Sequence, residues 1–207
     1  MAHARVLPMF PLGTVLFPYA VLPLHVFEPR YRVMTRRVMD GDGEFGVVLI
    51  ERGSEVGGGD VRFDVGTIAR IIQAAELPDG RFALASVGTR RIRAVRWLPD
   101  DPYPRAEVVE VPERAASDSD VALRSSVIEA LAALAALARE RDPAVPEPPE
   151  LDADPVRASF EAAAIAPIGP FDAQRVLEAA DASERLSLLW ALVNDRVDEL
   201  RARLDLE

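Results

Sequence analysis

Apolar positions follow two rhythms along this chain, alternation in the first half and helical spacing in the second. Two apolar runs open it, at residues 6–12 (VLPMFPL) and 21–27 (VLPLHVF). Pro8, Pro11, Pro18 and Pro23 each lack a backbone donor, so neither run can be a helix interior. Both are predicted as strands, with the prolines at edges, strand starts or bulges. The period then changes. Pro29 suits a first helical position, and Tyr31, Met34 and Val38 follow at i, i+3, i+7, with Arg32 and Arg36 on another face. That pattern predicts one short amphipathic helix.

Residues 40–43 (DGDG) form a turn cluster, 44–51 (EFGVVLIE) a buried strand, and 52–60 a mobile loop carrying three consecutive glycines. Segments 61–77 and 81–98 flank Pro78-Asp79-Gly80, a short-range hairpin signal. Small residues at Ala69, Ala74, Ala83 and Ala85 blur strict alternation there. Residues 99–104 break the sheet, and 105–111 (RAEVVEV) form a further strand ended by Pro112. From Asp118 the spacing is helical: Val127, Leu131, Leu134 and Ala138 make a stripe with Ile128 and Leu137 beside it. Residues 142–149 (DPAVPEPP) read as an extended connector. Asp154-Pro155 is an N-cap with a first-turn proline, opening a helix through Phe160 to Ile165. A helix over 172–180 follows, and Asp181 with Glu184 makes a capping box for the last one. Its seam is Leu186, Leu189, Val193, Leu200 and Leu204, widened by Trp190 and Val197. The expected fold class is α+β: a β-rich region with one short helix over 1–115, then an α-helical region over 116–207 with a proline-rich connector near 142–150.

At 207 residues, with 49% hydrophobic and 28% charged, the chain has ordinary globular composition and enough length for a substantial core. No apolar run reads as long enough to span a bilayer, and no export signal opens the chain. Without cysteine there are no disulfides, thiol nucleophiles or thiolate metal sites. A cytoplasmic protein with no membrane partner is expected. The net charge of −10 disfavours nucleic-acid backbones. All 24 basic residues are arginine. Lacking lysine, the chain can hold neither a Walker A loop nor a Ser–Lys dyad.

Candidate chemistry is thin. Gly41 to Gly46 spell GxGxxG, but a helix precedes and a strand follows, the reverse of a dinucleotide fingerprint. It reads as a turn, and no cofactor is assigned. His3 lies at the chain start and His25 in a strand; two histidines do not make a three-ligand site, and no metal site is assigned. Ser54 is the most loop-like serine and has no base near it in sequence, so no triad assembles and no catalytic residue is named. Glu28 is read as capping or charging the helix N-terminus and Arg30 as pairing with a nearby acid. Arg90, Arg91, Arg93 and Arg96 form the densest basic run: a solvated edge strand by default, an anion or RNA contact as the alternative. Phe17, Tyr19, Trp97 and Tyr103, at loops or strand ends beside prolines, are the candidate peptide-binding residues, expected to stay partly exposed.

The series Leu7-Pro8-Met9-Phe10-Pro11-Leu12, Leu16-Phe17-Pro18, Leu22-Pro23-Leu24-His25 and Phe27-Glu28-Pro29-Arg30-Tyr31 resembles the opening of the Lon N-terminal domain, the substrate-recognition region of the Lon protease family. The resemblance continues through Val65-Gly66-Thr67-Ile68-Ala69-Arg70-Ile71, Pro78-Asp79-Gly80-Arg81, Gly88 with Arg91, Pro102-Tyr103, and Asp172-Ala173-Gln174 to Glu184-Arg185-Leu186. Tyr19 stands where the family more often has glycine. The resemblance implies a PUA-like pseudo-barrel followed by a helical bundle. It also implies a non-catalytic module that holds unfolded or apolar polypeptide segments, or acts as an adaptor, for degradation done elsewhere. A PUA-like nucleic-acid binder is the alternative. The oligomeric state and the partner's identity stay open.

Overall fold

Proline placement decides where the first strands can pair. The computed structural model describes residues 4–53, 55 and 59–204, and the chain divides into two units, Met1–Pro112 and Glu113–Glu207. The first holds β1 (Arg5–Leu12), β2 (Val21–Val26), α1 (Pro29–Met39), β3 (Glu44–Arg52), β4 (Val61–Glu76), β5 (Phe82–Leu98) and β6 (Arg105–Glu110). Their order in the mixed sheet is β2-β5-β4-β3-β1-β6, and β6 pairs back onto β5, so five strands close a ring. β1 and β3 run parallel; their other pairings are antiparallel. Pro23 sits in β2, which among the described residues pairs with β5 alone, as an edge position allows.

Closure depends on two long strands. β4 and β5, of 16 and 17 residues, shift register at Thr67/Ala69 and again at Ile71/Gln73, and such bulges bend and twist a strand. The first half of β5 pairs with β2 and the second half with β6. β5 is therefore the most connected strand, not the solvated edge expected of its arginine run, and Arg91 on it is buried. Two cores result. One gathers Leu7, Met9, Val48, Ile68, Ile92 and Val108 from the ring strands. The other joins Phe10, Leu22, Val26, Phe45 and Leu84 to Tyr31, Met34 and Val38 of α1.

The local signals act as expected. Pro29 opens α1, and Arg30 donates to Glu28, the residue just before the helix, at 3.1 Å. In the β4–β5 turn, Leu77 N–H donates to Arg81 O and Gly80 N–H to Leu77 O, both at 2.8 Å. Gly80 takes φ +76°, which a side chain would strain.

The second unit contains α2 (Asp118–Arg141), α3 (Pro155–Ile165), α4 (Pro170–Glu178) and α5 (Ala182–Leu204). α2 and α5 form its main helix pair, burying Val127, Leu131 and Leu134 on one and Leu186, Leu189, Val193 and Val197 on the other. Trp190 is 47% exposed rather than part of the seam: it follows Leu189 directly, so it points about 100° round the helix. Asp154 accepts from Val156 N–H at 3.1 Å. Asp181 accepts from Glu184 N–H at 3.1 Å, and Glu184 reaches back to Ala180 N–H at 2.6 Å. Contrary to the reading of the sequence, α2 is by length and composition apolar enough to cross a membrane. Its run of alanines raises hydropathy without forming a conspicuous bulky stretch.

Candidate functional site

The loop between β1 and β2 is fastened to β5 by its backbone. Tyr19 N–H donates to Gly88 O at 2.8 Å, Gly88 N–H to Ala20 O at 2.9 Å, and Ala20 N–H to Phe17 O at 3.2 Å. Thr67 Oγ1 donates to Leu16 O at 2.6 Å. Gly88 must lack a side chain, because a Cβ there would collide with Phe17 O. This fastening drives Phe17 inward, and it is buried. Tyr103 is buried too, within the core that contains Phe10 and Tyr31. The expected exposure of Phe17 and Tyr103 is thereby overturned: both are held by contacts from distant strands. Trp97 is partly buried against the ring core; its Nε1–H donates to Asp64 at 3.0 Å and the Arg62 guanidinium lies 4.9 Å from its ring centre. Tyr19 stays 44% exposed and adopts φ +69°, the left-handed region that favours glycine.

An exposed stripe runs along β2 at every second residue, Val21 (64% exposed), Pro23 and His25, with the exposed Tyr19 just before the strand and Phe27 (54%) just after it. Cross-strand pairing extends it into a face. Val21 pairs with Val87, Pro23 with Ala85 and His25 with Ala83; beyond them, Ala85 pairs with Gln73 and Ala83 with Ala75. Ile72, in the β4 bulge, is 60% exposed. The Pro23 and His25 rows hold no Asp, Glu or Arg; the Val21 row ends on Arg70, opposite Val87, whose guanidinium bonds Glu44 at 2.7 Å. The bond from Gly88 to Ala20 O turns alternate β2 residues toward β5, leaving the main-chain groups of Val21, Pro23 and His25 on the free edge. Pro23 removes the central donor there, which blunts strand addition. The accessible feature is the face, not the edge.

At the Phe27 end a hollow of about 180 Å³ lies among Phe10, Leu12, Leu24, Phe27 and Tyr31, with Glu28 and Glu55 beside it. Phe10 and Tyr31 stack at 4.1 Å, and Arg30 lies 4.5 Å from the Tyr31 ring centre. Burial pushes the Tyr31 hydroxyl up to about 12. Glu55 accepts from Gly13 N–H, tying the loop across. The hollow is smaller than the roughly 300–1,000 Å³ of small-molecule sites; it suits one apolar side chain.

Elsewhere the charged groups satisfy one another. Arg90 pairs with Glu110 at 2.8 Å and Glu44 at 3.2 Å, and Arg96 pairs with Glu107. Glu44 is buried, which raises its pKa, but bonds from Arg5 and Arg70 and the charge of Arg90 outweigh burial and hold it below the usual carboxylate range. The Gly41–Gly46 sequence lies between the end of α1 and the start of β3, with Gly43 at φ +74°. His25 stands exposed on the stripe. Among the described residues no group of three His, Cys, Asp or Glu is placed to hold a metal. His3, Ser54 and Gly57-Gly58 of the expected glycine loop lie outside the described residues. Of the four aromatics singled out in the sequence, Tyr19 is the one exposed beside this stripe; Val21, Phe27 and Ile72 were not singled out, because β2 is apolar on both faces and alternation could not say which faced out.

Compared with known proteins, residues 6–195 match the family model of the ATP-dependent protease La (LON) substrate-binding domain. The Lon protease of Escherichia coli strain K12 is 30% identical over 200 residues, covering 94% of this chain and 25% of that one. Lon protease 2 of Myxococcus xanthus is 30% identical over 209 residues, covering 95% and 24%. The chain thus spans about a quarter of the length of the curated relatives it matches. A crystal structure of a Lon N-terminal domain protein from Xanthomonas campestris superposes with TM-score 0.67 at 26% identity, covering 90% of this chain and 98% of that one. The N-terminal domain of a Mycobacterium avium complex Lon protease shares the fold, with TM-score 0.66 at 22% identity. Sequence and architecture agree over nearly the whole length, and the chain belongs to the Lon substrate-binding domain family.

Proposed function

We propose that this chain is a non-catalytic module that captures apolar segments of unfolded polypeptides on the outer face of β2, β5 and β4, serving as a recognition or adaptor element for proteolysis carried out by other domains. The observation that supports this most is the largely apolar exposed face running from Tyr19 through Val21 and Pro23 to Phe27, with Ile72 on its flank and Arg70 at its border. Contiguous exposed apolar surface marks interaction sites. Unfolded chains offer apolar side chains without fixed sequence, and a shallow face reads hydrophobicity without demanding order. Each side chain buried there contributes about 1.5–3 kcal/mol, set against an association cost of about 4–15 kcal/mol. Weak, tolerant capture is the expected regime.

Among the aromatics first singled out, Tyr19 is the direct contact and Trp97 lies outside the stripe, engaged with Asp64 and Arg62. Phe17 and Tyr103 contribute by fixing the loop and core beneath. The closed ring of strands fits a PUA-like pseudo-barrel and the α2–α5 pair a helical bundle, each acting as one subdomain. The ion pairs that occupy Arg90 and Arg96, and the burial of Arg91, weigh against the nucleic-acid reading.

The test is binding of a fluorescently labelled, permanently unfolded (reduced and alkylated) protein, followed by anisotropy. Val21→Asp and Phe27→Asp should each weaken it about tenfold, a loss near 1.4 kcal/mol, while circular dichroism and melting stay unchanged. Wild-type affinity in both variants, with the fold intact, would remove the face from consideration.

A further inference from the structure

The second unit carries a contact site of a different character. The chain's formal charge is unevenly shared. The first unit balances fourteen arginines against fourteen acidic residues, while the second sets ten arginines against twenty, which accounts for the whole −10. Within that acidic unit, the proline-rich connector lies alongside α2. Two adjoining open hollows, about 390 and 480 Å³, lie between connector and helix. Both are bounded by Leu131, Glu147, Pro148 and Pro149; the smaller is otherwise walled by apolar groups such as Leu134, Ala135, Val145 and Ile165. Their volumes fall in the range that holds a compact ligand or several side chains.

The polar groups at the groove set the sign of what it accepts. Arg139 is engaged by Glu147 at 3.1 Å, and Arg124 is turned onto the carbonyls of Asp152 and Leu151 at 2.6 and 2.8 Å. Along residues 139–154, six acidic side chains (Glu140, Asp142, Glu147, Glu150, Asp152, Asp154) stand against Arg139 and Arg141. The lining itself balances Arg124 and Arg139, both already engaged, against Glu147 and Glu150; the surplus acids of the connector and the unit's net charge of −10 set the sign, repelling anions and attracting cations.

We infer that this groove takes a short polypeptide segment in which aliphatic side chains stand next to lysine or arginine. The aliphatic groups fill the hollows over Leu131, Leu134 and Ala135, and the cation meets the acidic connector at Glu147 and Glu150. The site lies in the other unit from the sheet face, whose border charge is the cation Arg70, and would give the chain a preference the face alone lacks. It rests on the reading above that the chain binds polypeptides.

Three labelled peptides with one shared aliphatic core, flanked by lysine, by glutamate or by serine, separate the possibilities by anisotropy with the full chain. The lysine-flanked peptide should bind about tenfold tighter than the glutamate-flanked one at low salt, the gap closing as ionic strength reaches about 1 M and the screening length falls to a few ångströms. Ala135→Trp, which fills the smaller hollow, should abolish the lysine advantage. Glu150→Lys, an exposed change that leaves the helices alone, should reduce it severalfold. Val21→Asp should leave it intact while weakening the serine-flanked peptide. Equal binding of all three peptides, or a lysine advantage that survives both Ala135→Trp and Glu150→Lys, would overturn the groove. Loss of all binding in Val21→Asp alone would also overturn it, yet would leave the sheet face standing.

Discussion

Each unit buries an anion and a cation, Glu44 and Arg91 in the first, Asp120 and Arg185 in the second, and Glu44 and Arg185 are held in opposite ways. In the first, the Glu44 carboxylate receives Arg5 at 2.5 Å, Arg70 at 2.7 Å and Arg90 at 3.2 Å, all three partners being partly exposed. In the second, the fully buried Arg185 guanidinium donates to Ser159 Oγ at 2.7 Å and to Glu113 at 3.0 Å, and lies 3.8 Å from the Phe160 ring centre. Glu44 is an anion with surplus cations that water can reach. Arg185 is a cation wedged among fixed groups. The contrast teaches where each network is brittle: Glu44 spreads its charge over three solvated arginines, whereas Arg185 depends on a buried hydroxyl, a ring and one half-buried carboxylate. The two tryptophans, Trp97 in the first unit and Trp190 in the second, permit the comparison to be read unit by unit.

The largest effect is therefore expected at Arg185. Arg185→Ala leaves Glu113 and Ser159 without that partner and opens a cavity under Phe160, a loss of about 3–5 kcal/mol by analogy with broken buried pairs. Urea unfolding followed by Trp190 fluorescence in a Trp97→Phe background reads it. Arg185→Met, which fills the space without demanding a counter-charge, should recover much of the loss. A change under about 1 kcal/mol for Arg185→Ala would remove the contrast. Glu44→Gln comes next, at about 1–3 kcal/mol for lost bonds to a buried charged group, and no more because Arg5, Arg70 and Arg90 can turn to solvent once the carboxylate is gone.

The pH dependence follows with a definite sign. Glu44 is held below its usual range once the arginine bonds outweigh burial. Asp120 is held low chiefly by the Ser117 N–H, which it accepts at 2.7 Å in the α2 capping box, against the raising effect of burial. Both are depressed carboxylates, so their stabilisation is complete above the unfolded-state values near pH 4–4.5 and is lost as pH falls through the folded ones. Stability should drop on acidification below about pH 4.5, more shallowly in Glu44→Gln and in Asp120→Ala. The latter removes a cap contribution of about 1 kcal/mol at neutral pH. An unchanged acid slope in both variants would show that other groups carry it.

Local chemistry was readable ahead of the fold. Pro29, Asp154-Pro155, Asp181 with Glu184 and the Asp79-Gly80 turn act through neighbours within a few residues, and each stands where its sequence placed it. What stayed hidden depends on distant partners. Phe17 looks like an exposed loop aromatic until Gly88, far along the chain, supplies the bare backbone on which its loop rests. The arginine-rich strand looks like an edge until β6 returns to cover its second half. The β2 stripe could not be oriented, since Leu22, Leu24 and Val26 on one face are as apolar as Val21 and Phe27 on the other, and only the pairing with β5 selects between them.

The smallest expected stability change bears on the candidate site itself. Tyr19 holds φ +69°, a conformation that costs an L-residue about 1–2 kcal/mol, and backbone strain of this kind concentrates where function requires it. Tyr19→Gly releases the strain but forfeits the packing of a ring that is 44% exposed, a loss on the order of 1 kcal/mol. The two nearly cancel, so the urea midpoint read by Trp97 should barely move. Capture of the unfolded protein should nevertheless weaken severalfold, because the stripe loses its end. Undiminished capture by Tyr19→Gly would mean that the left-handed tyrosine is merely tolerated and that the contact begins at Val21.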